Sequence, residues 1–361
     1  MTVKKFEYME KYGFEQLCFF QDKDTGLKAI TCVHSTVLGP GLGGTRFWNY
    51  ATEDEAIEDV LRLARGMTYK NSVAGLALGG GKSVIIGDVK QLRRDSVRRE
   101  VFWRTFGRYV NGLSGRYITA EDMNTTTQDM KYVHMETNYV AGLPGRSGNP
   151  APYTARGLYK SMLACCEHVF GVSSASGKTV AIQGMGAVAY TLAEYLHKDG
   201  ANIIFSEMDD EKAQKAIYDF GAKRVALDDI YSVDCDIYSP CAMGATVNDV
   251  TIPQFKCKII CGGANNVLKD APVHAKSLRE RGIVYAPDYV VNAGGVINVS
   301  HEFADKGYIE EASISDIDRL YLRILEILRT ADEKGRLTYE IADEMAEARI
   351  DAVRKVKGIR C

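Results

Sequence analysis

Residues 178–207 restrict the possible fold more than any other stretch. Lys178-Thr-Val-Ala-Ile-Gln183 reads as a β-strand from its β-branched and apolar content. Gly184-Met185-Gly186-Ala187-Val188-Ala189 follows as G-x-G-x-x-A, and Val188, Leu192, Ala193 and Leu196 then recur at helical spacing. Ala201 to Phe205 makes a second strand that ends at Glu207, 23 residues after Gly184. Strand, glycine turn, helix, strand and acid in this register form a unit that binds a dinucleotide. The glycines permit a tight turn, the helix N-terminus meets the pyrophosphate, and the acid accepts from the ribose hydroxyls. Glu207, with Asp209 and Asp210 close by and no neighbouring arginine, would repel a 2′-phosphate, which favours NAD over NADP.

The stretch Gly66 to Ser83, GMTYKNSVAGLALGGGKS, carries two lysines in a run of small, almost uncharged residues. Lysine is rarely buried unless paired. Lys82 follows Gly79, Gly80 and Gly81, which let a backbone or ligand approach, and precedes Val84-Ile85-Ile86, a short buried strand. An apolar cleft destabilises a lysine's charged form, so that it can act as a base near neutral pH. A glycine turn with a solvated lysine is the competing reading. GGGKS is not a P-loop: the first glycine would fall six residues before Lys82, where Leu76 stands, and the lysine leads into a strand rather than a helix.

At 361 residues the chain is long enough for two domains, and 46% hydrophobic with 25% charged residues is ordinary for a globular protein. A net charge of −2 gives no electrostatic case for nucleic acid or a membrane surface. No apolar run approaches the roughly 18 residues of a membrane span, and the N-terminus has no secretory h-region, so a cytoplasmic protein is expected. Nine cysteines contain no C-x-x-C pair, and Cys165, Cys166, Cys257 and Cys261 sit inside apolar patterns. Reduced, buried thiols fit better than a disulfide framework, and no metal-ligand spacing is present.

In the first half, Gly26 to His34 reads as a strand and Leu38 to Gly44 as a glycine loop. Thr52 and Glu55 make a capping box for a helix with Ala56, Ile57, Val60, Leu61, Ala64 and Met67 on one face, delivering Lys70 just past its end. Residues 90–108 are basic, but Val97, Val101, Phe102, Phe106 and Tyr109 form an apolar stripe that leaves the arginines solvated. Arg116 to Asp122 is a strand ending in Glu121 and Asp122. These are turn residues or, against a desolvated lysine, half of a general acid/base pair. A second capping box spans Thr126 to Asp129.

Ser147-Gly-Asn-Pro-Ala-Pro152 marks a domain junction, and Thr154 starts a helix with Leu158, Met162, Cys165 or Cys166, and Val169 buried. Beyond the dinucleotide unit, strand and helix alternate, and the strand stretches Asp236–Cys241, Lys258–Asn266 and Gly282–Pro287 each end in a Gly/Ala/Asn/Pro loop. In a parallel sheet those loops are carboxyl ends, where ligands bind. Asn265 and Asn266 are turn formers or amide partners for a cofactor. Ser315 caps a helix with Ile317, Leu320, Tyr321, Ile324, Leu325 and Leu328 as its stripe, and another helix starts at Thr338 after Gly335.

Taken together, GPGLGGTR (39–46), LRLARGMTYKN (61–71), LGGGK (78–82), ITAEDM (118–123), the GMGAVA turn, GGANN (262–266) and PDYVVNAGGVINV (287–299) closely resemble the glutamate/leucine/phenylalanine/valine dehydrogenases, nearest to the leucine-acting members. The resemblance covers nearly the whole chain. It implies a substrate-binding and oligomerisation domain over 1–148, a Rossmann NAD-binding domain over 149–331, and C-terminal helices over 332–361 packing back on the first domain. Three departures stand out: Ala187 where leucine-acting members usually carry asparagine, Glu207 for the commoner aspartate, and a slightly longer region before Phe102.

Matched position by position, the resemblance implies that Lys70 holds the substrate α-carboxylate, Lys82 is the catalytic lysine and Asp122 shuttles protons. Leu42, Ala120, Val296 and Val299 fall in the side-chain pocket, and Gly43, Gly44, Met67, Thr137 and Thr154 at other substrate positions. The cofactor set is Gly184, Met185, Gly186, Ala187, Val188, Glu207, Met208, Cys241, Ala242, Asn265, Asn266 and Asn292, with no metal. The reaction implied is NAD-dependent deamination of a branched-chain L-amino acid to its 2-oxo acid and ammonia, in a homo-oligomer, octamer or dimer. An apolar pocket would leave a glutamate side chain's charge unpaired. An aromatic amino acid, phenylalanine or tryptophan, is the alternative substrate on the same scaffold. A catalytically silent NAD-binding regulator is the alternative of another class, against which the retained lysines and acid argue.

Overall fold

The computed structural model describes residues 4–357, and the chain forms two compact units. The first comprises the chain up to Asn149, Val299–Tyr308 and the residues from Ala346 onward; the second comprises Pro150–Asn298 and Ile309–Met345.

The first unit is built on a mixed five-stranded sheet, β1 (Gln16–Asp22), β2 (Leu27–Ser35), β3 (Gly41–Trp48), β4 (Gly79–Ile86) and β5 (Tyr117–Glu121), in the order β1-β2-β4-β3-β5. The pairs β1/β2 and β2/β4 are antiparallel, while β3 runs parallel to both β4 and β5. Alternation along each strand divides the core in two. Ile30, Cys32 and Val84 meet Ala56, Ile57, Val60, Leu61 and Ala64 of the Glu53–Val73 helix on one face. Leu27, Ala29, Val33, Phe47 and Ile85 meet Phe102, Trp103, Phe106, Val110, Met130 and Val133 on the other.

Several expectations change at this level. The glycines of 79–81 are not a turn but the first residues of β4, and the 38–44 loop gives way to strand from Gly41. Glycine is used here because the neighbours come so close: a Cβ on Gly80 would lie 2.2 Å from the Thr68 amide nitrogen. Lys70 stands inside the last turn of the Glu53–Val73 helix rather than beyond it. Thr52 accepts from the Glu55 amide, but Glu55 reaches back to the Ala51 amide, so the box is only half formed. The box at Thr126 and Asp129 is complete. On the Ser96–Gly112 helix Val97 and Val101 are exposed, and Trp103 and Val110 take their places in the core. Arg99 donates to Asp129 at 2.7 Å, and Arg104 and Arg108 donate to Glu136 at 2.7 and 2.9 Å.

The second unit has a six-stranded parallel sheet of β6 (Thr179–Gln183), β7 (Asn202–Ser206), β8 (Lys223–Arg224), β9 (Ile237–Pro240), β10 (Ile259–Ile260) and β11 (Val284–Tyr285). Their order, β11-β10-β9-β6-β7-β8, is that of a doubly wound dinucleotide fold, with its switch point between β6 and β9. The helix expected from Thr154 begins at Ala151, with Pro152 in its first turn, where a missing N–H costs nothing. Ser315 lies inside the Glu310–Asp318 helix, and the apolar stripe continues on a separate helix, Leu320–Lys334. All eight described cysteines are free, and Cys32, Cys165, Cys166, Cys257 and Cys261 are buried. Among the described residues no helix is long and apolar enough to cross a membrane.

His34 of β2 ties the first unit's core to its first helix. Its Nδ1 lies 2.8 Å from the Thr68 hydroxyl and its Nε2 3.0 Å from the Tyr12 carbonyl. Burial pulls the imidazole down from its ordinary 6.5 to about 4, against the pull of the Tyr12 carbonyl. The unfolded chain therefore takes the proton first as pH falls, and stability declines between about pH 6.5 and 4, by on the order of 3 kcal/mol in full. Urea unfolding of His34→Gln at pH 7 and pH 4.5 should show a smaller acid loss than the parent.

Candidate active site

Lys82 sits in the middle of β4, 6% exposed, on the face covered by the Glu53–Val73 helix. Asp122 follows directly on β5, and its carboxylate makes an ion pair with the Lys82 ammonium. Strand order produces this meeting, because β3 lies between β4 and β5 and has a glycine, Gly44, at the crossing. A Cβ on Gly44 would lie 2.5 Å from the Glu121 carbonyl oxygen and 2.8 Å from Asp122 Cβ. The turn after β5 holds Asp122 in place. The Thr125 hydroxyl accepts from the Asp122 amide and donates to the Asp122 carbonyl, while Asn124, at φ +61°, donates its amide to the Phe47 carbonyl.

Burial alone would raise the Asp122 carboxyl. The charges of Lys82 and then Arg46, with a backbone N–H, outweigh it and hold the group at about 2. Glu121 points the other way along the strand: burial, then the charges of Asp129 and Asp122, push it up. Of the two adjacent acids, Asp122 is the one paired with a lysine.

The first unit also gathers Leu42, Gly43, Gly44, Met67 and Ala120 around this pair. Leu42 is paired with Gly80 and Ile118, Gly44 with Ala120, and Met67 Cγ lies 3.2 Å from where a Gly43 Cβ would be. The Tyr117 hydroxyl donates to the Gly43 carbonyl at 2.6 Å. Lys70 follows Met67 by three residues and so shares its side of the helix, half-buried. Thr137 is buried, and its hydroxyl donates to the Asn111 side chain and accepts from the Tyr139 amide. Val299 is buried in the first unit. Thr154 and Val296 belong to the second, where the Thr154 hydroxyl lies 2.5 Å from a Cβ placed on Gly295.

The remaining expected positions form the carboxyl edge of the parallel sheet. Gly184 has φ +85°, and a Cβ there would meet Ala242 Cβ at 2.7 Å. The Ala187–Asp199 helix starts at Gly186 without a side-chain cap, beside open space, as an anion requires. Met185 is buried, Val188 packs against Gly263, Met208 is exposed, and Cys241 lies 3.5 Å from the Ser239 hydroxyl. Glu207 accepts from the amides of Met185 (2.7 Å), Met208 (2.8 Å) and Asp209 (3.0 Å). Burial opposes these bonds, but they win and keep its carboxyl below the usual range. An arginine does neighbour this acid: Arg224, on β8 next to β7, bonds the Glu207 carbonyl and Asp210. Asn292 donates to the Asn265 side-chain oxygen at 2.8 Å, while its own buried Oδ1 has no hydrogen-bond partner. Asn266 takes a turn conformation at φ +53°. An open helix start, a fixed carboxylate and a buried acceptor without a donor fit a nicotinamide dinucleotide. Among the described residues no group of three or more His, Cys, Asp or Glu is placed to hold a metal ion.

Two family models match this chain: "Glu/Leu/Phe/Val dehydrogenase, dimerisation domain" over residues 15–139 and "Glutamate/Leucine/Phenylalanine/Valine dehydrogenase" over residues 205–316. The chain is 53% identical to the leucine dehydrogenase of Thermoactinomyces intermedius and 54% identical to that of Bacillus subtilis, in both cases over 99% of this chain and 96% of the relative. The crystal structure of L-tryptophan dehydrogenase from Nostoc punctiforme matches with a TM-score of 0.82 at 38% identity, covering 97% of this chain and 99% of that one. The chain belongs to the glutamate/leucine/phenylalanine/valine dehydrogenase family. It is an amino-acid dehydrogenase, with small-molecule substrates and a Rossmann unit of the kind that serves NAD(P).

Arg46, Asp59, Tyr117 and Thr125 are absent from the residues expected from sequence. Arg46 was detectable in principle, because it stands two residues beyond Gly44 and strand periodicity puts the two on one face. Gly44→Ala should lower kcat by roughly 100-fold through displacement of Asp122. Gly66→Ala, on the helix with nothing near its Cβ, should instead gain about 0.5–1 kcal/mol of stability at unchanged kcat. Steady-state rates and urea midpoints of both variants check this.

Proposed function

We propose that the protein catalyses the reversible, NAD-dependent oxidative deamination of branched-chain L-amino acids, leucine together with isoleucine and valine, to the 2-oxo acid and ammonia. The observation that carries this reading is the ion pair of buried Lys82 with half-buried Asp122 in a setting of Leu42, Ala120 and glycine. Of the positions expected to meet the substrate side chain, Leu42, Ala120 and Val299, all in the first unit, offer no polar side-chain atom. A carboxylate side chain would be left unpaired against them, whereas an aliphatic one would not. The likeness to two leucine dehydrogenases at 53% and 54% identity supports the same substrate class.

In this reading Lys70 pairs with the substrate α-carboxylate. Gly184, Gly186 and the N-terminus of the Ala187–Asp199 helix hold the pyrophosphate, Glu207 takes the ribose hydroxyls, and the Asn292 Oδ1 accepts from the carboxamide. The bound dinucleotide supplies the acceptor for the hydride of the substrate Cα. Lys82 takes a proton from the water that adds to the resulting imino carbon. Asp122 passes that proton to the nitrogen, the C–N bond breaks as ammonia leaves, and the remaining hydrogen of the water is given up to Lys82 as the hydroxyl becomes the 2-oxo group. Glu207 carries its charge where a 2′-phosphate would lie, and Arg224 is already held by Asp210, so NAD is preferred. We also assign the chain to a cytoplasmic homo-oligomer, octamer or dimer.

The likeness to an L-tryptophan dehydrogenase structure motivates the second reading, an aromatic substrate on the same scaffold. Initial rates with leucine, isoleucine, valine, phenylalanine, tryptophan and glutamate, with NAD at alkaline pH, decide between them. The three aliphatic substrates should fall within about 100-fold of one another, because a methylene or methyl shift is worth only ~1–3 kcal/mol. A higher kcat/KM for phenylalanine, tryptophan or glutamate overturns the substrate assignment. Lys82→Ala and Asp122→Asn should each lower kcat by roughly 10²–10⁴-fold while the protein remains folded by circular dichroism. Near-normal turnover in either would remove that residue from the mechanism.

A further inference from the structure

Arg46 lies on β3, on the face shared by Gly44 and Lys82, with its side chain 16% exposed. Its Nη1 donates to Asp59 Oδ2 at 2.8 Å, and its Nε stands 3.5 Å from Asp122 Oδ2. That last distance is too long for a hydrogen bond. Arg46 Nε is buried without a hydrogen-bond partner, and the oxygen it faces, Asp122 Oδ2, is the one held in the ion pair with Lys82. A buried donor without a partner thus faces a carboxylate oxygen that Lys82 now holds, and leaving that donor bare is costly unless the gap closes at some stage. A shift of a few tenths of an ångström would form a charge-assisted hydrogen bond.

The far side of Arg46 is fixed. Asp59, on the Glu53–Val73 helix, also accepts from the Tyr50 hydroxyl at 2.7 Å and from Arg62 at 3.2 Å. Burial, then Asp59, push the Tyr50 phenol up, so it remains a donor. The guanidinium is therefore anchored by an acid that is itself held from two sides. The charged groups around Asp122 are Lys82 from β4, Arg46 from β3, Glu121 from β5 and, through Arg46, Asp59 with Arg62 from the helix.

We propose that Arg46 is a positioning residue for the reaction: it takes hold of Asp122 Oδ2 through Nε when Lys82 is neutral, so that the carboxylate keeps its place between the proton transfers it makes. This rests on the Lys82–Asp122 relay proposed above. Once Lys82 is neutral it can still donate an N–H to Asp122, but it no longer offsets the carboxylate's charge. Without a second cation the carboxylate would be left alone in a buried site at that stage. A role confined to tying β3 to the helix through Asp59 is the plain alternative.

The test is a double-mutant cycle on the intact enzyme with leucine and NAD. Arg46→Gln should lower kcat by roughly 30–100-fold, with both KM values within about threefold of the parent. In an Asp122→Asn background the same change should cost less than about threefold, because Arg46 acts through that carboxylate. Arg46→Lys retains a cation without the Nε fork and should recover part of the loss. It is also the variant that decides if Arg46→Gln does not fold: a kcat at least about tenfold down at parental KM supports the proposal, and a parental kcat overturns it. Independent, multiplying losses in the cycle, or a raised KM at unchanged kcat, would make Arg46 a structural or substrate-binding residue instead. If Lys82→Ala and Asp122→Asn retain turnover, the relay itself is wrong. If they lose it and Arg46→Gln does not, only the role of Arg46 fails.

Discussion

The first unit is organised around one ion pair that is hard to bury. Lys82 lies in the centre of a strand among Gly81, Ser83 and Val84, and Asp122 meets it from a strand two places away. Removing two charges from water costs several kcal/mol per ion, and mutual attraction repays it only with good geometry and further partners. A pair of leucines would serve stability as well. The surrounding structure instead supplies what the ions need: Arg46 for Asp122, Asp59 for Arg46, and Tyr50 and Arg62 for Asp59. Each layer offsets the charge of the one inside it, so the ion pair at the centre rests on residues up to three contacts away.

Glycine makes that concentration possible. Gly44 leaves room for Asp122, Gly80 for the amide of Thr68, and Gly81 for the ring of Tyr117, where a Cβ would come within 2.7 Å of a ring carbon. Three sheet strands and a helix thereby approach closely enough for side chains from β3, β4 and β5 to touch. The opposite face of the same strands is sealed by short hydroxyl pairs, Thr31 with Ser83 at 2.7 Å and Thr45 with Thr119 at 2.6 Å. These satisfy polar groups that the core would otherwise leave bare.

What could be read from the sequence depended on how local the signal was. The 178–207 unit was legible because its strand, turn, helix and acid lie within thirty residues and each has its own pattern. The second capping box at Thr126 was legible for the same reason. The glycines of β4 were misread because glycine ordinarily marks a turn, and only the neighbouring strands and helix show that close approach is the reason for it. Val97 and Val101 fit a helical stripe, but the helix presents its 102–103–106–110 side to the sheet. Arg224 was missed because β8 lies next to β7 only in space. The meeting of Lys82 with Asp122, forty residues later, follows from strand order, which no periodicity encodes. The resemblance to a known family supplied that pairing where spacing alone could not.

Cys32 stands directly opposite Lys82 in the β2–β4 ladder, is wholly buried, and has its thiol pushed far up by that burial. Alkylating reagents require an accessible thiolate, so this sulfur stays silent while the two strands remain paired. Its labelling rate is a built-in clock for local opening around the lysine. Read at a single residue by mass spectrometry, it would report how often the centre of the sheet breathes, without any probe being introduced.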